Sequence, residues 1–318
     1  MRISIACCTY NGEAFVAQQL KSFSEQTSLP FELVICDDQS TDGTVALLEA
    51  YAANAPFPVR IYVNDSRLGI TRNFEQAIRL CEGEVIALSD QDDVWSSTKS
   101  DRIQEALQNH PQAGVVFTDA EVVDARLMPA GYSLWESIGF SADEQKRVAD
   151  GQAAGVLARH NVMTGATMAF RAQLRDRFLP IPDEWLHDAW IAWMACLNTG
   201  LLPLPEPLIQ YRQHANNQIG TPAAALSARV RHAFAYNKAH QEQIYAAYAV
   251  LEKRIQQDFG DAHALLPLVR AQMNHRHARA TLPQNRAYRI PVIARELITR
   301  HYHRFSSGFY GAAKDFLA

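Results

Sequence analysis

Short apolar runs alternate with amphipathic stretches over the first 125 residues of the chain. Runs at Ile3–Cys8, Phe31–Cys36, Val59–Val63, Glu84–Leu88 and Val115–Thr118 predict five strands. Between them the apolar positions return at helical spacing, over about 13–26, 42–53, 71–81 and 98–109. Asp42 stands where its side chain can accept from free N–H groups of the second helix's first turn. Strand–helix alternation implies an α/β fold with a mostly parallel sheet covered on both faces. Ligands of such sheets sit at the carboxyl ends of the strands. The polar residues should therefore cluster just after each apolar run, and they do.

The pattern is less regular further on. Residues 126–160 are mixed and give no clear element. Residues 185–199 read as a helix carrying Trp185, Trp190 and Trp193. Leu201–Tyr211, with three prolines, reads as an extended connection leading to a strand. From about Ala223 the chain is rich in Ala, Gln, Arg and His and predicts several helices, broken near Gly260, Pro283 and Pro291.

Composition narrows the class. The 318 residues, 48% apolar, suit one catalytic domain with an appendage or two modest domains. No stretch approaches the roughly 18 uninterrupted apolar residues of a membrane span. The N-terminus runs straight into Ile3, Ser4 and Ile5, so no signal peptide is expected. Five cysteines without CxxC spacing argue against a disulfide framework or a zinc site, and point to a reducing, cytoplasmic setting. The net charge of −4 hides an asymmetry. Residues 222–318 carry 14 Lys/Arg against 6 Asp/Glu, and the first 221 residues carry 16 against 28. An acidic front and a basic tail imply different partners for the two parts. Charge alone would admit nucleic acid, but no recognised binding motif supports it.

The strand ends carry the candidate chemistry. The first ends in Cys8-Thr9-Tyr10-Asn11-Gly12, a small polar tip before a helix that can hold a nucleotide base or serve only as a turn. The second ends in Asp37-Asp38-Gln39-Ser40-Thr41-Asp42-Gly43. Paired carboxylates at a buried strand end need a partner, whether a ribose hydroxyl, a base N–H or the next helix's first turn. The fourth ends in Ser89-Asp90-Gln91-Asp92-Asp93-Val94-Trp95. Three carboxylates in four positions repel one another, and a divalent cation relieves this. Mg²⁺ and Mn²⁺ favour a few carboxylates together with phosphate oxygens. Further on come Glu184-Trp185-Leu186-His187-Asp188, which opens a helix where Asp is also favoured by the dipole, and Tyr211-Arg212-Gln213-His214.

In this order the motifs resemble family 2 glycosyltransferases of the GT-A fold: TYNG at 9–12, DDQSTDGT at 37–44, Asn73 after Gly69, SDQDDVW at 89–95, LHDAWIAW at 186–193 and YRQHANN at 211–217. TYNG is common; SDQDDVW followed about 90 residues later by HD is more specific. The resemblance is strong over residues 1 to about 220 and is nearest to bacterial rhamnosyl-, galactosyl- and glucosyltransferases that build O-antigens and capsules. Tyr302-His303-Arg304-Phe305-Ser306-Ser307-Gly308, with Lys314-Asp315, is similar to the end of that subgroup.

The resemblance implies a Rossmann-like, mostly parallel sheet flanked by helices over 1–220, with a helical C-terminal extension over 221–318. It implies that Thr9, Tyr10, Asn11 and Glu13 line the base and ribose pocket, with Asp38 reading the pyrimidine of a dTDP- or UDP-linked donor. Asn73 and Arg72 would approach the diphosphate or ribose. Asp90, Gln91 and Asp92 form the DxD segment, with Asp92 on Mg²⁺ or Mn²⁺ and Asp90 nearer the ribose. Asp93 would support this loop or touch the donor sugar. His214 would meet the metal or diphosphate, and Asp188 would be the general base. Many relatives have Glu-Asp where this chain has His187-Asp188, which leaves the role of position 187 open. The arginine-tryptophan motif of processive synthases is not seen, so single addition is expected.

Inverting transfer asks for one carboxylate on the acceptor side and charge neutralisation on the leaving-group side, and the motifs offer both. A metal-dependent nucleotidyltransferase is a rival reading, but residues 9–14 lack its Gly-rich phosphate loop. A non-catalytic glycan-binding descendant is another, opposed by intact Asp90, Asp92 and Asp188. In the tail, Ile290, Ile293, Leu297, Tyr302, Phe305 and Phe309 recur at roughly helical spacing, with Arg295, Arg300 and Arg304 off the stripe. Such a face can pack on protein or lie on an anionic membrane that presents a glycan or lipid-linked acceptor.

Overall fold

The computed structural model describes residues 1–214 and 238–317. The expected boundary at 220 and the last three residues of YRQHANN lie outside the described residues. Contacts divide the chain into two compact units. One holds residues 1–153 and 162–214; the other holds 154–161 and 238–317.

The first unit is built on a nine-stranded sheet: β1 (Ile3–Thr9), β2 (Glu32–Asp37), β3 (Val59–Val63), β4 (Val85–Ser89), β5 (Val94–Trp95), β6 (Ala113–Val123), β7 (Pro129–Ser133), β8 (Met168–Arg171) and β9 (Gly200–Arg212). The order is β3-β2-β1-β4-β8-β6-β9-β5, with β7 paired to β6. Strands β1 to β4 run parallel to one another, β8 runs antiparallel between β4 and β6, and β9 lies parallel to β6. Every residue of β1, β2 and β4 is buried, which is why these strands read as continuous apolar runs. Helices α1 (Val16–Ser24), α2 (Thr44–Ala52), α3 (Ile70–Leu80), α4 (Lys99–Asn109) and α5 (His187–Asn198) follow the expected spans closely. The core gathers Ile5, Leu33, Ile35, Phe23, Leu107 and Trp95, each such burial contributing about 1.5–3 kcal/mol.

Four findings depart from the sequence expectations. Residues expected to end at Thr118 continue as β6 to Val123, where β9 and β7 supply partners. The extended connection 201–211 is itself strand β9. Its prolines fall where only β6 flanks it, since β5 pairs only with Ile209 and Gln210, and register shifts occur there. Strand β8, with no expected counterpart, is four residues between two 3₁₀ turns. Pro291 does not break the chain but lies inside a helix that Asn285 caps, five residues past its first residue.

The second unit contains α6 (Lys238–Phe259), α7 (Leu266–Ala280), α8 (Arg286–Ile298), α9 (His301–Phe305) and α10 (Phe309–Leu317). The break near Gly260 falls between α6 and α7, and that near Pro283 between α7 and α8. Of the predicted apolar stripe, Ile293, Tyr302 and Phe305 are buried and Leu297 packs against them, while Ile290 and Phe309 are exposed. Part of the positive charge is internal. Arg279 donates through Nε and Nη2 to Asp315 at 2.6 and 2.9 Å, and Tyr302 donates to the same carboxylate at 2.7 Å. Buried Arg276 and Arg289 donate to backbone carbonyls. Buried Glu296 lies 2.8 Å from His275 Nδ1 and 3.0 Å from His301 Nδ1, linking α7, α8 and α9. Arg295, Arg300 and Arg304 remain exposed. No helix among the described residues is long and apolar enough to cross a membrane.

Candidate active site

The loops after β1 and β2 are latched to each other. Thr9 donates to Asp37 at 2.6 Å, and Asp37 also accepts from the Ser40 amide and hydroxyl. Asp37 is fully buried and serves as the anchor of this turn. Asn11, in the left-handed region at φ 47°, accepts from the Thr41 amide and donates its own amide to Ser40. Glu13 accepts from the Gly43 amide at 2.9 Å, while Asp42 accepts from the amides of Glu13 and Thr44. A Cβ on Gly43 would meet Glu13 Oε1 at 2.7 Å, so a side chain there would displace the Glu13 carboxylate from this latch.

Asp38, 3% exposed, accepts from the Leu68 amide at 2.6 Å, the Gly69 amide at 3.0 Å and Asn64 Nδ2 at 3.0 Å. It thereby folds the loop after β3 over the end of β2. Asn73 is buried behind this loop, donating to the Cys36 carbonyl and accepting from Asn64. Arg72 pairs with Glu75 and Asp183. The folded loop brings Arg67 onto Tyr10: its guanidinium carbon lies 3.7 Å from the ring centroid, and its Nε 3.9 Å from Asp38. Cation and aromatic face attract. Together Tyr10, Arg67 and Asp38 form one cluster at the ends of β1 and β2.

The DxD loop is tied to the same place. Gln91 accepts from the Tyr10 amide at 2.8 Å and donates to the Tyr10 carbonyl at 3.0 Å, reproducing a strand-like pair across two loops. Its Oε1 fills the space where a Gly12 Cβ would stand, 2.2 Å away. Asp92 Oδ2 lies 2.8 Å from His214 Nε2, and the His214 ring stacks on Phe15 at 4.5 Å. Asp93 turns inward. Its Oδ1 accepts from the Arg212 amide, and its buried Oδ2 has no hydrogen-bond partner among the described residues.

Two buried cations bear on this loop: Arg212, which lies in the YRQH motif, and Lys99, which the sequence did not single out. Arg212, 1% exposed, donates to the Asp92 carbonyl, the Ala125 carbonyl and Gln18. Lys99, also buried, donates to the Ala166 carbonyl at 2.8 Å with its Nζ 3.9 Å from the Trp95 ring centroid. Burial pushes Lys99 down to about 7, against the upward pull of Asp93 and Asp90. Burial, then the charges of Asp92 and Asp188, push the Asp90 carboxyl up to about 7. Asp93 is raised well above the usual range, by burial first and then by Asp92 and Asp90. Asp188, in the first turn of α5, adds to the negative charge felt by Asp90 and Tyr211. Asp188 Oδ1 accepts from the Ala189 amide at 2.6 Å.

His187, next to it, is 4% exposed. Its ring stacks on Phe74 at 4.1 Å, and both ring nitrogens lack partners among the described residues. A Cβ on Gly165 would lie 2.4 Å from Nε2, so the imidazole occupies a slot that glycine leaves. Burial pushes its pKa down to about 3. The ring is therefore neutral packing at ordinary pH. The folded state resists protonation down to about 3, whereas the unfolded chain takes a proton near 6.5, so the unfolded chain binds more protons between these values. Stability from neutral His187 is present above about 6.5 and is lost as pH falls toward 3. We expect the difference in Tm, His187→Leu minus wild type, to rise as pH is lowered from 7 to 4.5 in a thermal-melt series. A difference independent of pH would contradict the buried, neutral ring.

Residues 4–149 match the family described as Glycosyl transferase family 2. An uncharacterised protein of Mycobacterium tuberculosis is 27% identical over 223 residues, 67% of this chain and 59% of that protein. The chain thus spans under two thirds of that relative's length. The dTDP-rhamnosyl transferase RfbG of Shigella flexneri is 26% identical over 242 residues, covering 74% of this chain and 81% of RfbG. Among solved structures, residues 1–349 of S. aureus TarS in complex with UDP-GlcNAc superpose with a TM-score of 0.64 at 16% identity, covering 99% of this chain and 88% of that one. At that identity the likeness speaks for the fold. The sheet flanked by helices, the carboxylate loop after β4 and the match across residues 4–149 agree: these residues form a glycosyl transferase family 2 domain, and the fold is GT-A.

Proposed function

We propose that the protein is an inverting glycosyltransferase that moves one sugar from a nucleoside-diphosphate sugar to a hydroxyl of a surface polysaccharide or lipid-linked glycan. The observation that carries this reading is the DxD segment, Asp90 and Asp92 with His214, in electrostatic reach of Asp188 at the head of α5. The donor set of two carboxylates and an imidazole suits Mg²⁺ or Mn²⁺, with diphosphate oxygens completing the shell. Asp92 and His214 would hold the ion, with Asp90 beside them toward the ribose. When bound, the cation neutralises charge on the departing diphosphate.

The chain's own residues do the rest. The Tyr10, Arg67 and Asp38 cluster receives the base, with Thr9, Asn11 and Glu13 shaping its wall and Arg72 and Asn73 supporting the ribose and diphosphate side. Arg212 and Gln91 hold the DxD loop in place. Asp188 takes the proton of the acceptor hydroxyl as its oxygen bonds to the anomeric carbon and the bond to the diphosphate oxygen breaks. Attack from the face opposite the leaving group inverts the anomeric centre. The name of the Shigella relative supports dTDP-rhamnose as donor, with a UDP-hexose second.

A thermal-shift screen of dTDP-, UDP-, GDP- and CMP-sugars with Mg²⁺ and Mn²⁺ tests the donor. The pyrimidine nucleoside diphosphates, dTDP-rhamnose first, should give the largest metal-dependent shift. A clear preference for GDP- or CMP-sugars would overturn this choice. For the acceptor side, exposed Ile290, Ile298, Phe309 and Tyr310 beside exposed Arg295, Arg300 and Arg304 support contact with an anionic, cytoplasmic membrane face. The full chain should co-sediment with phosphatidylglycerol vesicles at low salt and leave them as salt rises. Full recovery in the supernatant at low salt would make the tail structural only.

A further inference from the structure

A groove of about 620 Å³ opens in the first unit between the β6–β7 hairpin and the β5–β9 edge. Its size lies within the roughly 300–1,000 Å³ of small-molecule sites. Strand register explains its floor. Val94 of β5 pairs with Gln210 of β9, Gln210 with Glu121 of β6, and Glu121 with Ser133 of β7. Residues in register across adjacent strands stand on one face, so these four make a row across the sheet. All four are half-buried, and Gln210 Nε2 donates to Glu121 at 3.1 Å. The walls are apolar and rigid: Pro129 and Tyr132 from β7, Pro207 from β9. Buried Trp95 also borders the groove, and its indole N–H has no hydrogen-bond partner among the described residues.

The groove borders β5, the strand that leaves the DxD loop. Val94 is two residues past Asp92. Arg212, two residues past Gln210 and so on the same face of β9, donates to the Asp92 carbonyl. Among the described residues no lysine or arginine lines the groove, and Glu121 is the one charged residue that does. That lining disfavours a phosphate or an anionic headgroup. An amide, a carboxylate and two serines offer donors and acceptors for hydroxyl groups, and Tyr132 with the prolines offers flat apolar surface for C–H faces.

We infer that this groove binds the uncharged sugar residues of the acceptor glycan, next to the donor site. The inference rests on the glycosyltransferase reading above. A glycan seated there would lead its terminal hydroxyl toward the DxD loop, while its length along the groove would select among acceptors. Tyr132 and Glu121 then act on acceptor binding and leave the nucleotide alone.

The test is saturation-transfer NMR on the full chain with p-nitrophenyl disaccharides of rhamnose, glucose, galactose and N-acetylglucosamine, each titrated into the millimolar range, with and without UDP and Mg²⁺. At least one disaccharide should bind saturably, and Tyr132→Ala should weaken it at least about fivefold, Glu121→Gln less. Metal-dependent UDP affinity, measured on the same samples, should be unchanged in both variants. Wild-type protein that binds no member of the panel, or binding undiminished in both variants, overturns the groove assignment. Because UDP binding is read separately, loss of the groove can be told from failure of the transferase reading.

Discussion

Asp188→Asn should leave donor affinity near wild type and lower kcat by about 10²–10⁴-fold. Asparagine keeps the shape of aspartate and its bond to the Ala189 amide, but accepts no proton at neutral pH. Asp188 stands in the first turn of α5, where a carboxylate is also favoured by the helix dipole. If that were its whole role, the substitution would cost about 0.3–1 kcal/mol of stability and leave turnover intact. The two outcomes differ in kind. Donor binding, Tm and transfer rate on one preparation separate them, and a folded, donor-binding variant with near-normal transfer would defeat the assignment. Neighbouring His187 offers no substitute base, since its ring is buried against Phe74 and neutral.

Asp92→Ala should reduce transfer by about 10³-fold or more, because the charge stabilisation lost at the departing diphosphate amounts to several kcal/mol. The change removes the side chain that meets His214, yet Arg212 holds this loop through the Asp92 carbonyl, which alanine retains. Asp93 keeps its bond from the Arg212 amide. The loop should therefore keep its place, and Tm should change little. A variant with wild-type transfer in saturating Mg²⁺ would remove Asp92 from the metal site. One with a collapsed melting transition would make it structural.

The legible part of this protein is the part whose physics is local. Strands β1, β2 and β4 are buried on both faces, so each appears as an unbroken apolar run, and each leads into a polar loop of the candidate site. Carboxylates crowded at 90, 92 and 93 are anomalous on any structural account, which made the DxD loop visible. Other features depend on partners far apart in the chain. Arg212 braces a loop 120 residues before it, and Lys99 donates to a carbonyl 67 residues after it. Neither spacing announces itself, though the YRQH motif flagged the first. Strand β8 is too short for periodicity to register, and β5, at two residues, exists only because β9 arrives beside it. His187 illustrates the opposite case. A histidine beside a candidate base invites a chemical role, yet the slot left by Gly165 and the face of Phe74 make it packing.

The central claim is that the β4 carboxylates bind a nucleoside diphosphate through a divalent cation. Calorimetric titration of UDP and dTDP into the full chain, once with Mg²⁺ or Mn²⁺ and once with chelator, tests it most directly. The account predicts saturable binding of both nucleotides with metal, and affinity weakened at least about a hundredfold without it, since several kcal/mol of charge neutralisation are withdrawn. Equal affinity in metal and in chelator would contradict it.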